Sequence, residues 1–316
     1  MPTYLVAGGA GFIGSNLCEK LLSEGARVIC IDNLITGSES NISSFFSNSN
    51  FIFINHDIIK GAPVISGEIT GIFHLASPAS PNAKSSRSYM AYPIETLMVN
   101  SQGTKNLLDF AKEKKASFLY ASSSEIYGDP TISPQSEDCF GNVNPIGPRS
   151  VYDEGKRFGE SLCMTYYRKF GLNVRIARIF NTYGEEMQKD DGRVVSNFII
   201  QALKNDKITV YGDGNQTRSF CYIDDLVDGL IAAIKKNVSG QVINLGNPEE
   251  YRIIDLAQKI KTLVKSESQI IHEELPEDDP HQRKPDISKA QKLLNFHPKV
   301  ALDEGLKKTI EYFRGL

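Results

Sequence analysis

Short, continuous runs of apolar residues alternate with longer amphipathic stretches over the first 180 residues of the chain. The amphipathic stretches repeat their apolar positions at the helical period of about 3.6 residues. Continuous apolar strands separated by helices are typical of a parallel sheet that is covered on both faces. The pattern therefore predicts an α/β fold with a doubly wound parallel sheet. The predicted strands are 3–9, 27–33, 50–57, 71–77, 117–123 and 173–180, and the predicted helices are 14–25, 93–114 and 150–171.

The rhythm changes in the second half of the chain, because the apolar runs become shorter and the connections between them longer. We expect residues 1–180 and about 213–245 to form one large domain. Residues about 181–212 and 246–316 are expected to form a smaller C-terminal lobe. The run "EELPEDDPHQRKPD", residues 273–286, combines three prolines with mixed charge and predicts a loop.

Composition and charge exclude several classes of partner. The chain has 316 residues and a formal net charge of −3, with Lys and Arg scattered, so neither nucleic acid nor an acidic membrane surface is expected as a partner. No apolar run is long enough to span a bilayer, and the chain opens on a strand rather than a secretory signal. The five cysteines and five histidines match no ligand or redox spacing. These features predict a cytoplasmic protein with reduced thiols and no metal site.

The stretch "GGAGFIG" places Gly8, Gly11 and Gly14 between the first predicted strand and the first predicted helix. Glycines there allow a tight turn and the close approach of a diphosphate, while the helix N-terminus offers free N–H groups. Asp32 ends the second strand, where an acid accepts hydrogen bonds from the ribose hydroxyls of an adenosine and repels a 2′-phosphate. The sequence therefore predicts a dinucleotide site that takes NAD rather than NADP.

Other residues at strand ends complete the predicted cofactor site, because ligands of an open α/β sheet bind at the carboxyl ends of its strands. Asp57 ends the third strand and is a candidate partner for the adenine amine. Its alternative role is to cap a helix or turn. The remaining candidates lie at or just after the ends of the second, third and fourth strands, or just before the first helix: Phe12, Ile13, Asn33, Thr36, Gly37, Ile58, Leu75, Ala76 and Ser77.

Tyr152 and Lys156 in "SVYDEGKR" are four residues apart, so a helix places both side chains on one face. A free tyrosine is a poor base at neutral pH because its pKa is near ~10. A neighbouring ammonium favours the phenolate and lowers that pKa, and the same lysine is placed to bond the nicotinamide ribose. The pair predicts a base that takes a hydroxyl proton while hydride leaves the same carbon. The alternative is a helical tyrosine beside a surface lysine.

On these motifs the chain resembles the extended short-chain dehydrogenases/reductases of the nucleotide-sugar epimerase/dehydratase group, in which the G-x-x-G-x-x-G spacing is typical. Within that group it is most similar to the UDP-glucuronate decarboxylases. The matching stretches include "HLASPASP", "NPIGPRSVYDEGKR", "RIFNTYG", "DGRVVSNFI", "TVYGDGNQTRSFCYIDDLVDGL" and "RKPDI". The resemblance implies a Rossmann sheet with a smaller C-terminal substrate-binding lobe, tightly bound NAD, a UDP-sugar substrate and a homodimer built on residues 93–114 and 150–170.

The stretch "ASSSEIYG" places Ser123, Ser124 and Glu125 at the end of the fifth predicted strand. By resemblance, Ser123 holds the C4 oxygen of the sugar while that carbon is oxidised. Related dehydratases have Asp-Glu at the next two positions and simple 4-epimerases have small residues, whereas the decarboxylases have Ser-Glu, as here. Oxidation of a glucuronate at C4 makes a β-keto acid, which loses CO₂ without a metal because the ketone accepts the electron pair. Ser124 and Glu125 would then orient the carboxylate, stabilise the enolate and help to protonate C5; the alternative for Glu125 is a solvated loop carboxylate.

The resemblance also implies a set of substrate-binding residues. Arg218 is the candidate for the carboxylate or diphosphate charge, since a guanidinium pairs with either by parallel hydrogen bonds. Arg193 and Arg283 match positions that hold the nucleotide diphosphate and ribose. The alternative for each arginine is a structural salt bridge or a surface position. Besides Glu125, the set is completed by Tyr89, Asn181, Tyr211 and Gln216.

Two segments depart from the pattern of the family. An insertion at Asn82–Arg87 lengthens the loop before Tyr89, which is expected to border the sugar. Glu185 and Glu186 replace a Pro-Arg pair, so acids stand where the family has a basic residue.

Three functions compete on this sequence. The leading one is the conversion of UDP-glucuronate to UDP-xylose by C4 oxidation, loss of CO₂, C5 protonation and C4 reduction. A UDP-glucuronate 4-epimerase, or another NAD-dependent nucleotide-sugar epimerase or dehydratase, would share everything except the use of Glu125, and CO₂ release separates it from the decarboxylase. A non-catalytic NAD-binding sensor is the third, but such proteins generally lose the tyrosine or the lysine, and this chain has both.

Overall fold

The computed structural model describes residues 1–275 and 282–316, and its elements alternate between strand and helix through the first half of the chain. The strands of this described part are β1 Thr3–Ala7, β2 Arg27–Asp32, β3 Phe51–Asn55, β4 Gly71–His74, β5 Ser117–Ser123, β6 Val174–Ile179, β7 Thr182–Tyr183, β8 Ile208–Tyr211, β9 Thr217–Ser219, β10 Cys221–Tyr222, β11 Gln241–Leu245, β12 Glu250–Arg252, β13 Ile270–Glu273 and β14 Gln282–Arg283. Its α-helices are α1 Phe12–Ser23, α2 Pro93–Met98, α3 Thr104–Lys114, α4 Ser150–Phe170, α5 Val194–Leu203, α6 Ile223–Lys235, α7 Ile253–Val264, α8 Ser288–Leu294 and α9 Leu302–Gly315.

Seven of these strands form one parallel sheet in the order β11-β6-β5-β4-β1-β2-β3. The chain runs outward from β1 to β3 and then returns to β4, on the other side of β1. The carboxyl ends of β1 and β4 therefore flank the point where the winding direction reverses, which is where open α/β sheets bind ligands. The predicted doubly wound parallel sheet is confirmed.

Helices cover both faces of the central sheet, as its continuous apolar strands require. Leu5 and Ala7 of β1 pack in a core with α3 and α4, while Tyr4 and Val6 of the same strand pack in a second core with α1 and α6. The alternation of side chains along each strand divides them between these two cores. The sheet is thereby fixed in register, and its strand ends are held at one edge.

The predicted helix at residues 93–114 is one continuous helical segment with a π-helical turn at Val99–Gly103 between α2 and α3. The Thr104 hydroxyl lies 2.8 Å from the Asn100 carbonyl oxygen and 3.4 Å from that of Val99, which widens this turn. The buried Asn100 side chain donates to Ser77 Oγ at 2.9 Å and accepts from Tyr120. The π turn therefore ties the helix to the strand ends of β4 and β5, as such turns often do near functional sites.

Outside the central sheet, the second half of the chain forms the three-stranded sheet β12-β9-β14, the parallel pair β8–β13 and the packed helices α5, α7 and α9. The loop predicted at residues 273–286 is partly wrong, because Gln282–Arg283 form β14 and pair with β9. Residues 276–281 of that predicted loop lie outside the described residues.

Within the two described ranges, no helix combines the length and the apolar character that a bilayer crossing requires. The same part of the chain contains no group of three or more His, Cys, Asp or Glu side chains arranged to hold a metal ion. All five cysteines are described, and their thiols are free.

Candidate active site

The turn after β1 needs glycine at two positions, because a side chain at either would collide with neighbouring backbone. Gly8 has a φ of +82°, and a Cβ built on it would lie 2.6 Å from the backbone nitrogen of Ala76. A Cβ on Gly14 would lie 2.1 Å from the carbonyl oxygen of Gly8. Gly11 is the N-cap of α1, so the first N–H groups of that helix face the same space. The turn is a cradle of backbone donors that suits a diphosphate.

Asp32 stands at the end of β2 with its carboxylate fixed against this turn. Its Oδ2 accepts a hydrogen bond from Ala10 N at 3.0 Å, and its Oδ1 accepts one from Leu34 N at 2.8 Å. Burial raises the pKa of Asp32, and these two backbone donors oppose the rise. A carboxylate held in this position fits the ribose diol that the sequence predicted for it.

One cavity runs along the strand ends from the glycine turn to β5. Asp57 lies on the wall of this cavity. Its Oδ1 also accepts a hydrogen bond from Ile59 N at 2.9 Å, so Asp57 has the alternative capping role as well. The wall includes every residue that the sequence predicted for the cofactor: Gly8, Gly11, Phe12, Ile13, Gly14, Asp32, Asn33, Thr36, Gly37, Asp57, Ile58, Leu75, Ala76, Ser77, Tyr152 and Lys156.

Tyr152 and Lys156 lie in the first two turns of α4, both buried. Lys156 Nζ donates to the carbonyl oxygen of Ala121 at 2.8 Å, and the hydroxyls of Tyr152 and Ser123 are hydrogen-bonded to each other. Burial lowers the pKa of Lys156 to about 7. Burial and the charge of Glu125 raise the pKa of Tyr152, although the Ser123 bond opposes them. The predicted lowering of the tyrosine pKa is therefore wrong for the protein by itself, because desolvation of the phenolate prevails.

Glu125 is buried rather than solvated, which contradicts its alternative role as a loop carboxylate. It lies in a 3₁₀ helix, Ser124–Tyr127, that Ser123 caps by accepting from Glu125 N at 3.2 Å. Arg149 Nη2 lies 3.2 Å from Glu125 Oε2, and Arg283 Nη1 lies 3.7 Å from Oε1. Burial alone would raise the pKa of Glu125, but the charges of these two arginines prevail and lower it to about 2.

Sequence reasoning missed Arg149 and Asp153, which flank Tyr152 on the first turns of α4. The Asp153 side chain interacts with that of Glu125, and burial together with the charge of Glu125 raises the pKa of Asp153 to about 8. Their four-residue spacing in "GPRSVYDEGKR" puts both on one helix face, and that spacing was the available signal. It gave no reason to choose them until the position of Glu125 was known.

The structure brings some of the predicted substrate residues to the cavity. Asn181, Arg193 and Arg283 line it, with Arg283 beside Glu125. Tyr89 is fully buried behind this wall, where its ring stacks on Tyr152 with centroids 4.9 Å apart and its hydroxyl donates to Glu125 at 3.3 Å.

The other predicted substrate residues lie on β8, β9 and the turn between these strands. Among the described residues, the cavity wall does not include Tyr211, Gln216 or Arg218. Gln216 donates to the carbonyl oxygen of Tyr211 at 2.7 Å. Arg218 of β9 is paired in register with Arg283 of β14, so its backbone adjoins that of an arginine on the cavity wall.

The insertion at Asn82–Arg87 closes against the segment that follows β7. Ser85 Oγ donates to the carbonyl oxygen of Asp190 at 2.6 Å. Arg87 Nε donates to the Asp190 carboxylate at 2.9 and 3.1 Å, and its Nη1 donates to the carbonyl oxygen of Thr36 at 2.7 Å. The insertion thus reaches the cofactor end of the cavity, where Arg87 is part of the wall.

The two acids that depart from the family pattern have partners in the described part of the C-terminal half. The Tyr222 hydroxyl donates to the carboxylate of Glu185. The Tyr312 hydroxyl donates to the carboxylate of Glu186 at 3.3 Å. Among the described residues, neither glutamate is on the wall of the cavity.

Comparison with known proteins places this geometry in a family. Residues 4–246 match the NAD dependent epimerase/dehydratase family. The chain is 51% identical over 309 residues to UDP-glucuronic acid decarboxylase 1 of Danio rerio, covering 98% of this chain and 72% of the relative. It is 50% identical over 310 residues to UDP-glucuronic acid decarboxylase 1 of Arabidopsis thaliana, covering 98% and 69%. The structure of UDP-glucuronic acid 4-epimerase from Bacillus cereus with UDP-glucuronic acid and NAD is similar with a TM-score of 0.85, at 32% identity and 99% coverage of both chains. The chain therefore belongs to the NAD dependent epimerase/dehydratase family.

Proposed function

We propose that this chain is a UDP-glucuronate decarboxylase that uses bound NAD to convert UDP-glucuronate to UDP-xylose and CO₂. Relatives of that name share about half of its residues over nearly the whole chain. The single observation that carries the proposal is the Ser124–Glu125 pair at the end of β5, buried beside Tyr152 and two arginines. A carboxylate held there serves chemistry that follows C4 oxidation.

Oxidation of the sugar at C4 uses the groups at the ends of β5 and α4. Tyr152 takes the C4 hydroxyl proton as general base, and Ser123, which is hydrogen-bonded to it, holds the same oxygen. Lys156 is fixed by Ala121 beside the tyrosine ring, where it would hold the nicotinamide ribose. NAD bound there would supply the reversible hydride acceptor for C4. The buried site keeps water away from the ketone that forms.

Decarboxylation follows because the C4 ketone makes the sugar a β-keto acid. The bond from C5 to its carboxylate breaks, CO₂ leaves, and the electron pair moves to the ketone oxygen as an enolate. Arg283 lies at the reacting end of the cavity and offers positive charge to the sugar carboxylate or the enolate. Ser124 is a hydrogen-bond donor in the same place. Glu125 orients the sugar and the water that protonates C5.

We also propose the remaining substrate contacts and the division of the chain. Arg193 and Asn181 hold the nucleotide end of the substrate, supported by their place on the cavity wall. Tyr211, Gln216 and Arg218 contact it from β8, β9 and the turn between them. Residues 1–180 and about 213–245 form the NAD-binding domain, supported by the place of β11 in the central sheet. Residues about 181–212 and 246–316 form the nucleotide-sugar lobe.

A homodimer in a reducing, cytoplasmic setting is part of the proposal. Apolar side chains are exposed on the adjoining surfaces of α2 and α4. Burial of such a patch against a second copy of the chain would stabilise a dimer. They are Ile94, Leu97, Met98 and Phe158. Light scattering should therefore give twice the chain mass of 35.0 kDa. The compartment rests on the unpatterned cysteines of the sequence.

The structural similarity to a UDP-glucuronic acid 4-epimerase favours one competing function. That enzyme class would bind the same substrate and oxidise C4, but it would retain the carboxylate. Product analysis by NMR with UDP-glucuronate separates the two. The decarboxylase gives UDP-xylose and one CO₂ per sugar, whereas a 4-epimerase gives the C4 epimer and no CO₂, which would refute the proposal.

A variant links the product to the residue that carries the argument. Glu125→Ala should bind UDP-glucuronate and NAD and still oxidise C4, with its main loss in CO₂ release or C5 protonation. Glu113→Ala is the matched control, since Glu113 is an exposed carboxylate on α3. Rapid mixing that follows NADH and CO₂ together measures both steps. Undiminished UDP-xylose formation by Glu125→Ala would remove Glu125 from the mechanism.

A further inference from the structure

Two carboxyl groups meet at the reacting end of the cavity. Glu125 comes from the 3₁₀ helix after β5 and Asp153 from the first turn of α4, and their side chains interact directly. Both residues are at least nine-tenths buried. Two buried carboxylates at such close range repel each other, so the pair favours holding one proton over carrying two negative charges.

The surrounding groups decide which carboxyl holds that proton. Glu125 faces two guanidinium groups and the donated hydroxyl of Tyr89, so its partners favour the ionised form. Asp153 Oδ1 is buried and has no hydrogen-bond partner among the described residues. An ionised Asp153 would leave that oxygen charged and unsolvated, which is costly. The proton therefore belongs to Asp153. The titratable and charged groups that face the pair are Tyr89, Arg149, Tyr152 and Arg283.

The proposed reaction consumes one proton in each turnover. Tyr152 takes the C4 hydroxyl proton at the start and gives it back when C4 is reduced, so that proton cancels. The electron pair left by departing CO₂ must be quenched by a second proton at C5. A carboxylate substrate thus becomes a neutral sugar and CO₂ with net uptake of one proton, which has to be stored near C5 in a buried site.

We propose that Asp153 stores this proton and delivers it to C5 through Glu125 and a water molecule, acting as a positioning residue behind the cavity wall. The inference rests on the proposed function. The transfer breaks the Asp153 O–H bond, moves one proton to Glu125, and forms the C5–H bond while the enolate returns to the C4 ketone. The doubly ionised pair regains a proton from solvent after the product leaves.

The electrostatics of the pair give this store a pH range. Glu125 stays ionised, since its pKa is lowered to about 2, while the pKa of Asp153 is raised to about 8. These values belong to the pair as it loses its two protons in turn. Asp153 is therefore protonated at neutral pH and loses its proton as pH rises through about 8. The C5 protonation step should therefore slow on the basic side of that value.

The first test needs no substrate and does not depend on the proposed function. Infrared spectra of the NAD-loaded enzyme in H₂O and D₂O reveal the carbonyl stretch of a protonated carboxyl group. The difference between wild type and Asp153→Asn should contain that band at pH 7, and the band should vanish as pH rises through about 8. A difference spectrum without the band would overturn the inference. If the variant fails to fold, the pH titration of the wild-type band decides in the same way.

The second test follows single turnovers of UDP-glucuronate by wild type and Asp153→Asn. The amide of Asn can donate a hydrogen bond to Glu125 but stores no transferable proton. NADH should form at nearly the wild-type rate, whereas its reoxidation after CO₂ release should slow by about 10²-fold or more and lose its decline above about pH 8. Asp138→Asn, the same change at an exposed loop position, should match wild type.

The outcomes separate the two hypotheses. Equal slowing of NADH formation and reoxidation in Asp153→Asn, or an unchanged pH profile, would make Asp153 merely structural and overturn the inference. Failure of the wild-type enzyme to release CO₂ would instead remove the proposed function, whatever the infrared spectra show.

Discussion

The two ends of the cavity are built in opposite ways. The cofactor end is built around a backbone turn, with the Asp32 carboxylate beside it, that can come close to a ligand because Gly8 and Gly14 have no side chains. The reacting end consists of side chains from distant parts of the sequence that converge on Glu125, among them Tyr89, Arg149 and Arg283. The cofactor end depends on the absence of side chains at its glycines. The reacting end depends on the side chains that its residues carry. The two ends should therefore fail under opposite kinds of mutation.

The largest effect is expected where one atom is removed from the reacting end. Tyr152→Phe keeps the ring stacked on Tyr89 but removes the hydroxyl that takes the C4 proton. Loss of a general base commonly costs ~10²–10⁴ in rate. Single-turnover NADH formation should fall by that amount, while UDP and NAD binding measured by calorimetry should be retained.

A tyrosine elsewhere on the same helix provides the control for this variant. Tyr166 lies near the far end of α4, where its hydroxyl donates to Asp109 at 2.7 Å. Tyr166→Phe should lose that hydrogen bond but form NADH at the wild-type rate. A Tyr152→Phe enzyme that still formed NADH at the wild-type rate would show that the reacting end does not depend on this atom.

The same contrast explains which parts the sequence could predict. The strand and helix order follows from local apolar periodicity, and the glycine turn with Asp32 follows from a motif within one strand–helix–strand unit. The resemblance extended this to every predicted cofactor residue that now lines the cavity. Local pattern suffices at this end because neighbours in the sequence are also neighbours in space.

The reacting end was less predictable because it depends on tertiary burial. Sequence alone contains no measure of how strongly desolvation acts on Tyr152, so the predicted direction of its pKa shift was wrong. The resemblance assigned Arg283 to the nucleotide, but nothing in the sequence showed that its guanidinium also lies beside Glu125. Asp153 gains its significance only from a residue that is 28 positions earlier and on another element. Such pairings need coordinates.

An intermediate effect is expected where one atom is added to the cofactor end. The methyl group of Gly14→Ala would meet the Gly8 carbonyl oxygen at 2.1 Å, so the turn has to shift. Overpacking of this kind typically costs ~1–3 kcal/mol, and about 1.4 kcal/mol corresponds to tenfold in affinity. We expect about tenfold or greater loss of NAD affinity, measured by fluorescence titration, together with a lower melting temperature.

The control for this variant is a glycine with room for a methyl group. A Cβ on Gly315 would have nothing within 4 Å, so Gly315→Ala should leave both NAD affinity and melting temperature unchanged. If Gly14→Ala bound NAD as wild type does, the cofactor end would tolerate added atoms, and the contrast between the two ends would be lost.

The smallest effect is expected at Arg87, where a side chain supplements the backbone-built end. Arg87→Gln should lose the ion pair with Asp190 and the hydrogen bond to the Thr36 carbonyl oxygen. These two contacts hold the inserted loop at the cofactor end. The pair is partly exposed, and such pairs contribute only about 0.2–1 kcal/mol. NAD should therefore dissociate about two- to fivefold faster, as measured by stopped-flow fluorescence of the reduced cofactor.

Lys84→Gln is the matched control, because Lys84 lies in the same insertion but pairs with Glu273, away from the cofactor. Equal dissociation rates for the two variants would mean that the insertion does not help to retain the cofactor, and that this end of the cavity depends on the glycine turn and Asp32 without it.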